Sequence, residues 1–225
     1  MRAPILKLTL IATIFSVSVS LFLTIAHELF SEKEVEFDDT VLHYVSTHLP
    51  SQRIGSSMVM ISFFASGNFL VFCYACLYSY YAVLKKRRSL AFYVLSTGLS
   101  GFLVNVLLKL LFRRQRPAYP LISPPNDFSF PSGHATAAFI FYGLIVYLLW
   151  RSNLRIWLKY LLSACLVLFS VAIGFSRIFL RVHYPTDVLA GFCVGIAWLS
   201  LSFYLYGKWN GTFPDKNQSR HQLTS

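Results

Sequence analysis

The hydrophobic positions fall into six long stretches separated by polar connections. A helix that crosses a bilayer needs about 20 mostly apolar residues. The stretches run from about Ile5 to Ala26, Ser57 to Leu84, Ser89 to Phe112, His134 to Trp150, Ile156 to Phe179 and Pro185 to Tyr206. The pattern predicts an all-α polytopic membrane protein with six transmembrane helices in a single domain over 1–225. Arg2 and Lys7 give the first stretch a superficial likeness to a signal peptide. Its apolar run exceeds the roughly 7–15 residues of a signal core, and Thr24-Ile25-Ala26-His27-Glu28 has no A-x-A cleavage pattern, so it reads as a retained helix.

The polar connections differ in character. Residues 27–56 form the longest and are acidic, and Val41, Leu42 and Val45 recur there at helical spacing, which predicts a short interfacial helix. Lys85-Lys86-Arg87-Arg88 is a tight basic turn, and Arg151 to Arg155 is another. Residues 113–133 are polar, basic and rich in proline, and 208–225 form a polar, mobile tail. There is no internal repeat or low-complexity segment.

Composition narrows the class further. Of 225 residues, 56% are hydrophobic, 17% aromatic and only 13% charged. A soluble domain carries about 25% charged residues, so a disordered chain, a nucleic-acid-binding arm and an ordinary soluble domain are excluded. The net charge of +11 changes meaning once the spans are threaded with the N-terminus in the cytoplasm. Arg2, Lys7, Lys85, Lys86, Arg87, Arg88, Arg151, Arg155, Lys159, Lys208, Lys216 and Arg220 then lie inside, twelve bases against the single acid Asp215. Lys33, Arg53, Lys109, Arg113, Arg114, Arg116, Arg177 and Arg181 lie outside, eight bases balanced by eight acids. Positive charge marks the inner side, so the excess is a topology signal and implies no nucleic-acid partner. The four cysteines, Cys73, Cys76, Cys165 and Cys193, all lie in apolar runs. A thiolate is costly to form there, so they read as inert core or lipid-facing thiols.

Three polar clusters fall on the outward connections. Lys109 precedes Arg116-Pro117 by seven residues, close to two helical turns, so both cations share a face if the helix persists, and Pro117 then ends the helix or turns the chain. Two such cations make an anion site; a snorkelling pair at a membrane edge is the alternative. Pro131-Ser132-Gly133-His134 opens the fourth span, with proline suited to the first helical position. The free N–H groups of that helix can bind a phosphate, and Gly133 allows close approach. A helix start with a hydrogen-bonded histidine is the alternative. The third cluster is Ser176-Arg177, His183 and Asp187. Pro185 at the first position of span six puts Asp187 in the first turn, four residues after His183. A carboxylate beside an imidazole fixes its tautomer and favours its charged form, as an imidazole nucleophile or base requires. A bland His–Asp pair is possible, but ionisable groups at membrane depth are functional hypotheses by default. Together the clusters supply three cations, a helix N-terminus, two histidines and a carboxylate. They offer no carboxylate cluster for Mg²⁺ or Zn²⁺, since Asp127 and Asp187 are the only acids near.

The three clusters resemble the signature of the type 2 phosphatidic acid phosphatase superfamily, K-x6-R-P, then P-S-G-H, then S-R-x5-H-x3-D, without a departure across residues 109–187. The resemblance implies a metal-independent, cofactor-free lipid phosphatase. It makes His183 the nucleophile that forms a phosphohistidine, Asp187 its orienting carboxylate, and His134 the acid that protonates the leaving oxygen and then assists water. Lys109, Arg116, Ser132, Gly133 and Arg177 become the phosphate-binding set. Arg113, Arg114 and Arg181 lie outside the motifs, as attractors of an anionic headgroup or as interfacial anchors. The partner expected is a membrane lipid phosphate in the bilayer, entering headgroup first from the outer leaflet. Phosphatidylglycerophosphate, phosphatidate and undecaprenyl diphosphate all fit. A lipid phosphotransferase or lipid A phosphatase would use the same residues. A transporter, a soluble haloperoxidase-like relative and an inactive scaffold fit the rim-located, complete motifs less well.

Overall fold

The structure, a computed structural model, describes residues 2–32, 35–49 and 51–211. All regular structure among these residues is helical. The helices are α1 (Arg2–His27), α2 (Glu36–His48), α3 (Ser51–Phe63), α4 (Gly67–Ser79), α5 (Arg88–Phe112), α6 (Gly133–Trp150), α7 (Ile156–Phe179) and α8 (Pro185–Trp209). Single π-helical turns, Glu28–Glu32 and Tyr80–Leu84, extend α1 and α4. Six stretches are long and apolar enough to cross a membrane: Ile5–Ser31, Ile54–Leu84, Arg88–Phe112, Gly133–Trp150, Ile156–Phe179 and Pro185–Trp209. The expected six spans are present, with ends shifted by a few residues. Most of the tail, from residue 212, lies outside the described residues.

The second span is one crossing but two helices. α3 stops at Phe63 and α4 starts at Gly67, with the Ser66 hydroxyl accepting from Phe69 N as its cap. A Ser-Gly pair is a common site for such a break. The freed Phe64 carbonyl accepts a hydrogen bond from the Tyr142 hydroxyl at 2.9 Å. Hydropathy averaged over the span does not register the break, because Ile54–Leu84 as a whole stays apolar enough to cross a membrane. The short helix expected in the acidic connection is present as α2, whose inner face buries Asp38 and Val45. Val45 joins Phe179, Leu180 and Val182 in a small core beneath it.

α8 is the centre of the bundle. Of its most apolar window 56% is buried, against 11% for α1 and for α7. It packs on α1, α5, α6 and α7. Phe22 and Ile25 of α1 and Leu29 of its π-helical extension meet Phe130, Ala190, Cys193 and Val194 in one core. Ile140, Leu144 and Leu148 of α6 meet Leu199 of α8 in another. All four cysteines are free, Cys193 buried and Cys76 and Cys165 exposed. The exposed leucines, valines and phenylalanines of α1, α4, α5 and α7 form the lipid-facing belt.

The approach of α6 to α8 sets the geometry of one end of the bundle. A Cβ on Gly191 would lie 2.7 Å from the Ser132 carbonyl oxygen and 2.9 Å from the Ala135 Cβ. Only a bare Cα lets the second turn of α8 sit this close to the start of α6. Gly191→Ala is therefore expected to lower stability by about 1–3 kcal/mol, the usual cost of overpacking. Gly55→Ala, where nothing lies within 4 Å, is expected to be neutral or slightly stabilising. Thermal unfolding of the purified variants in detergent checks the contrast.

Candidate active site

The C-terminal ends of α5 and α7 and the N-terminal ends of α6 and α8 meet at one end of the bundle. There they assemble the three polar clusters read from the sequence. Lys109 lies in the last turn of α5, buried, with its Nζ bonded to the Phe128 carbonyl and 3.2 Å from Asp127. The helix does not persist to Arg116, contrary to the shared-face expectation. It ends at Phe112, where Arg113 turns left-handed with φ 50° and returns its N–H to the Lys109 carbonyl at 2.9 Å. Pro117 therefore does not end it. Arg116 arrives from the irregular segment and still joins Lys109, because both hold the Asp127 carboxylate. Burial works against that carboxylate, but Arg116 and Lys109 hold it below the ordinary carboxylate range. A cavity of about 320 Å³ opens beside Arg116 and Asp127, lined also by Gln115, Pro125, Asn126 and Phe128.

Ser132 is the N-cap of α6, so Pro131 lies one residue outside the cap rather than at the first helical position. The Ser132 hydroxyl accepts from Ala135 N, and its own N–H donates to the Asp187 carbonyl at 2.9 Å. Gly133 and His134 occupy the first turn. His134 sits among Arg177, His183, Arg116 and Lys109, all near enough to act on it electrostatically. Arg177, in the last turn of α7, donates from Nη1 to the Ser62 hydroxyl at 2.6 Å, while its buried Nε has no partner.

His183 is 2% exposed and precedes α8, which begins with Pro185 at the expected position and Asp187 in its first turn. Its Nδ1 lies 3.2 Å from the Ser129 hydroxyl and 3.5 Å from Asp187 Oδ2. Ser129 donates to that same Oδ2. Ser129 accepting from Nδ1–H while donating to the carboxylate satisfies both groups, which assigns the proton to Nδ1. Nε2 is then the acceptor, facing Arg116 Nη1 at 3.2 Å. Burial pushes the His183 imidazole down to about 4, although Asp187 pulls it up. The ring is thus neutral at neutral pH, with a lone pair aimed among cations, the form a nucleophile needs.

Several residues of this constellation are absent from the three motifs. Arg114 is neither a headgroup attractor nor an interfacial anchor: Nη1 donates to Asp187 Oδ1 at 2.7 Å and Nη2 to Asp38 at 2.6 Å. Ser129 bridges His183 to Asp187, and Ser62 holds Arg177. The seven-residue spacing of Asp38 and Val45 puts both on the inner face of α2, the one sequence signal that could have marked Asp38. Nothing in the sequence marks Ser62. Arg113 is solvent-facing and donates to the Leu110 carbonyl. Arg181 is left-handed at φ 54° with a buried, unpartnered Nε.

Comparison with known proteins gives the family and the fold. The model of the PAP2 superfamily matches residues 89–210, more than half of the chain, and the chain belongs to that superfamily. It is similar to the undecaprenyl-diphosphatase of Bacillus subtilis, 34% identical over 49% of this chain and 55% of that protein. It is also similar to phosphatidylglycerophosphatase B of Bacillus subtilis, 36% identical over 42% of this chain and 47% of the other. The lipid A 1-phosphatase of Rhizobium johnstonii is 33% identical over 54% of this chain and 53% of its own. The matches span about half the length of these curated relatives. Among solved structures, a transmembrane PAP2-type phosphatidylglycerolphosphate phosphatase from Bacillus subtilis superposes with TM-score 0.76. At 24% identity it covers 88% of this chain and 98% of the other, so the two share a fold.

The environment of His183 has a consequence for stability. The folded protein holds the ring neutral down to about pH 4, whereas the unfolded chain takes up a proton near the ordinary imidazole value of 6.5. The unfolded state then binds more protons over this window, so its folded-state advantage falls as pH drops from about 6.5 towards 4. His183→Gln removes this step, and thermal unfolding of both proteins across that range measures the difference.

Proposed function

We propose that this chain is a single membrane domain that hydrolyses a phosphomonoester or diphosphate of a membrane lipid without a metal ion. The observation that carries this reading is the meeting of Lys109, His134, Arg177 and Asp187, from four helices, with Arg116 and His183, from the connections between them, at one end of the bundle. His183 Nε2 attacks phosphorus in line, forming an N–P bond while the bond to the lipid oxygen breaks. His134 gives that oxygen its proton. Water then attacks the phosphohistidine with His134 taking a proton, and the N–P bond breaks to release phosphate. Asp187 stabilises the imidazolium form of His183 through these steps. Lys109, Arg116, Arg177 and the N-terminus of α6, with Ser132 and Gly133, hold the phosphoryl oxygens. Catalysis of this kind is positioning plus charge stabilisation.

The excess of basic residues at the opposite end supports a topology with both termini in the cytoplasm and the site facing the periplasm or extracellular space. A lipid phosphate of the outer leaflet then enters headgroup first. Undecaprenyl diphosphate, phosphatidylglycerophosphate and phosphatidate are the substrates proposed, the first two appearing in the names of relatives.

Purified protein should release inorganic phosphate from at least one member of a panel of these lipids and lipid A, with chelator present throughout. His183→Ala should abolish release, and His134→Ala should slow it by about 10²–10⁴-fold, the usual worth of a general acid–base group. Full activity of either variant, or dependence on an added divalent ion, overturns the mechanism. The sidedness has its own measurement. A cysteine placed at Tyr119, 86% exposed beside the site, in a cysteine-free background should react with an impermeant maleimide in intact cells, whereas one placed at Lys86 should not.

A further inference from the structure

Asp38 is an acid from the otherwise unexplained acidic connection, outside the residues 89–210 matched by the family model, and it is only 1% exposed. Its Oδ1 accepts from Thr186 N at 2.9 Å. Its Oδ2 accepts from Thr186 Oγ1 at 2.6 Å and from Arg114 Nη2 at 2.6 Å. Arg114 in turn stands between two carboxylates, with Nη1 at 2.7 Å from Asp187 Oδ1. Its guanidinium lies over the Tyr184 ring, 4.0 Å from the centroid. Asp38, Arg114, Asp187 and His183 therefore form a continuous row from the surface helix α2 to the reacting imidazole.

The row has an electrostatic purpose as well as a geometric one. An arginine alone behind Asp187 would orient that carboxylate, yet its charge would oppose the imidazolium that forms as the N–P bond is made. Asp38 cancels this charge while leaving the hydrogen bond in place. Resting on the phosphatase reading, we propose that Asp38 and Arg114 are positioning residues for phosphoryl transfer: Asp38 fixes the Arg114 guanidinium, Arg114 fixes Asp187, and the pair contributes no net charge behind His183. Neither residue touches the phosphate. Helix α2 is thereby a part of the active site.

The test uses the full chain in lipid nanodiscs, comparing wild type with Asp38→Asn and the double variant Asp38→Asn/Arg114→Gln. Asp38→Asn should lower kcat by about 10–100-fold, as loss of outer-shell partners of functional histidines does, with KM little changed. It should also move the acid limb of kcat/KM to lower pH, because the uncompensated Arg114 charge disfavours imidazolium. The double variant removes both charges and should return that limb towards its wild-type position while kcat stays low. The other groups facing His183, namely Asp187 of α8, Lys109 of α5, Arg116 of the intervening segment and His134 of α6, are unchanged throughout. Wild-type kcat and an unmoved limb in Asp38→Asn overturn the proposal. A kcat loss that only tracks a fall in melting temperature, with the limb unmoved in both variants, also overturns it. Should Asp38→Asn not fold, wild-type kcat in the double variant does the same. Protein that releases no phosphate from any lipid phosphate contradicts the phosphatase reading instead. In that case the His183 titration, followed by NMR of labelled histidine, still decides: a shift to lower pH in Asp38→Asn supports the row, and an unchanged titration overturns it.

Discussion

A fully buried carboxylate, that of Asp187, is the interaction around which this end of the molecule is organised. Burying a charge is expensive unless it is paired and hydrogen-bonded. Asp187 is satisfied from three directions: Arg114 at Oδ1, and Ser129 and the Tyr184 N–H at Oδ2. Its own carbonyl accepts from the Ser132 N–H. One residue therefore ties the start of α8 to the start of α6, to the irregular segment and, through Arg114, to α2. Groups brought in to satisfy Asp187 are thereby held in place around His183.

Charge balance follows the same logic across the site. Lys109 and Arg116 share Asp127, and Arg114 is divided between Asp38 and Asp187. Arg177 differs: it bonds to Ser62 and has an unpartnered Nε. The break between α3 and α4 lies just beyond Ser62, so a local interruption of an apolar span and the anchoring of a buried motif arginine occur within one turn. The bilayer favours this layout, since ionisable groups at mid-span are costly and the helix ends are where they can be paired and reached by water.

The sequence by itself determined the spans, their number and the motifs. Long apolar runs have no stable alternative to crossing the bilayer as helices, and the three motifs carry their polar groups at fixed spacings. Pro185 and Asp187 behave as their local rules demand, at the first position and in the first turn of α8. Local rules mislead where an interaction between distant segments wins. The spacing of Lys109 and Arg116 suggested a continuous helix, yet Arg113 breaks it, and the two cations converge because both are drawn to Asp127. Arg114 looked like a surface charge until two carboxylates from opposite ends of the chain closed on it.

Only the tertiary structure decided which residues support those of the motifs. Asp38, Ser62 and Ser129 lie at sequence separations from their partners that no periodicity encodes, and the hydrogen bonds they make span 54 to 148 residues. Chemistry that must be local, such as a helix cap or a motif on one turn, is written in neighbouring residues. The satisfaction of a buried charge is a demand on whatever the packing of other helices brings near. In this protein that packing turns on the bare Cα of Gly191, against which α6 and α8 close.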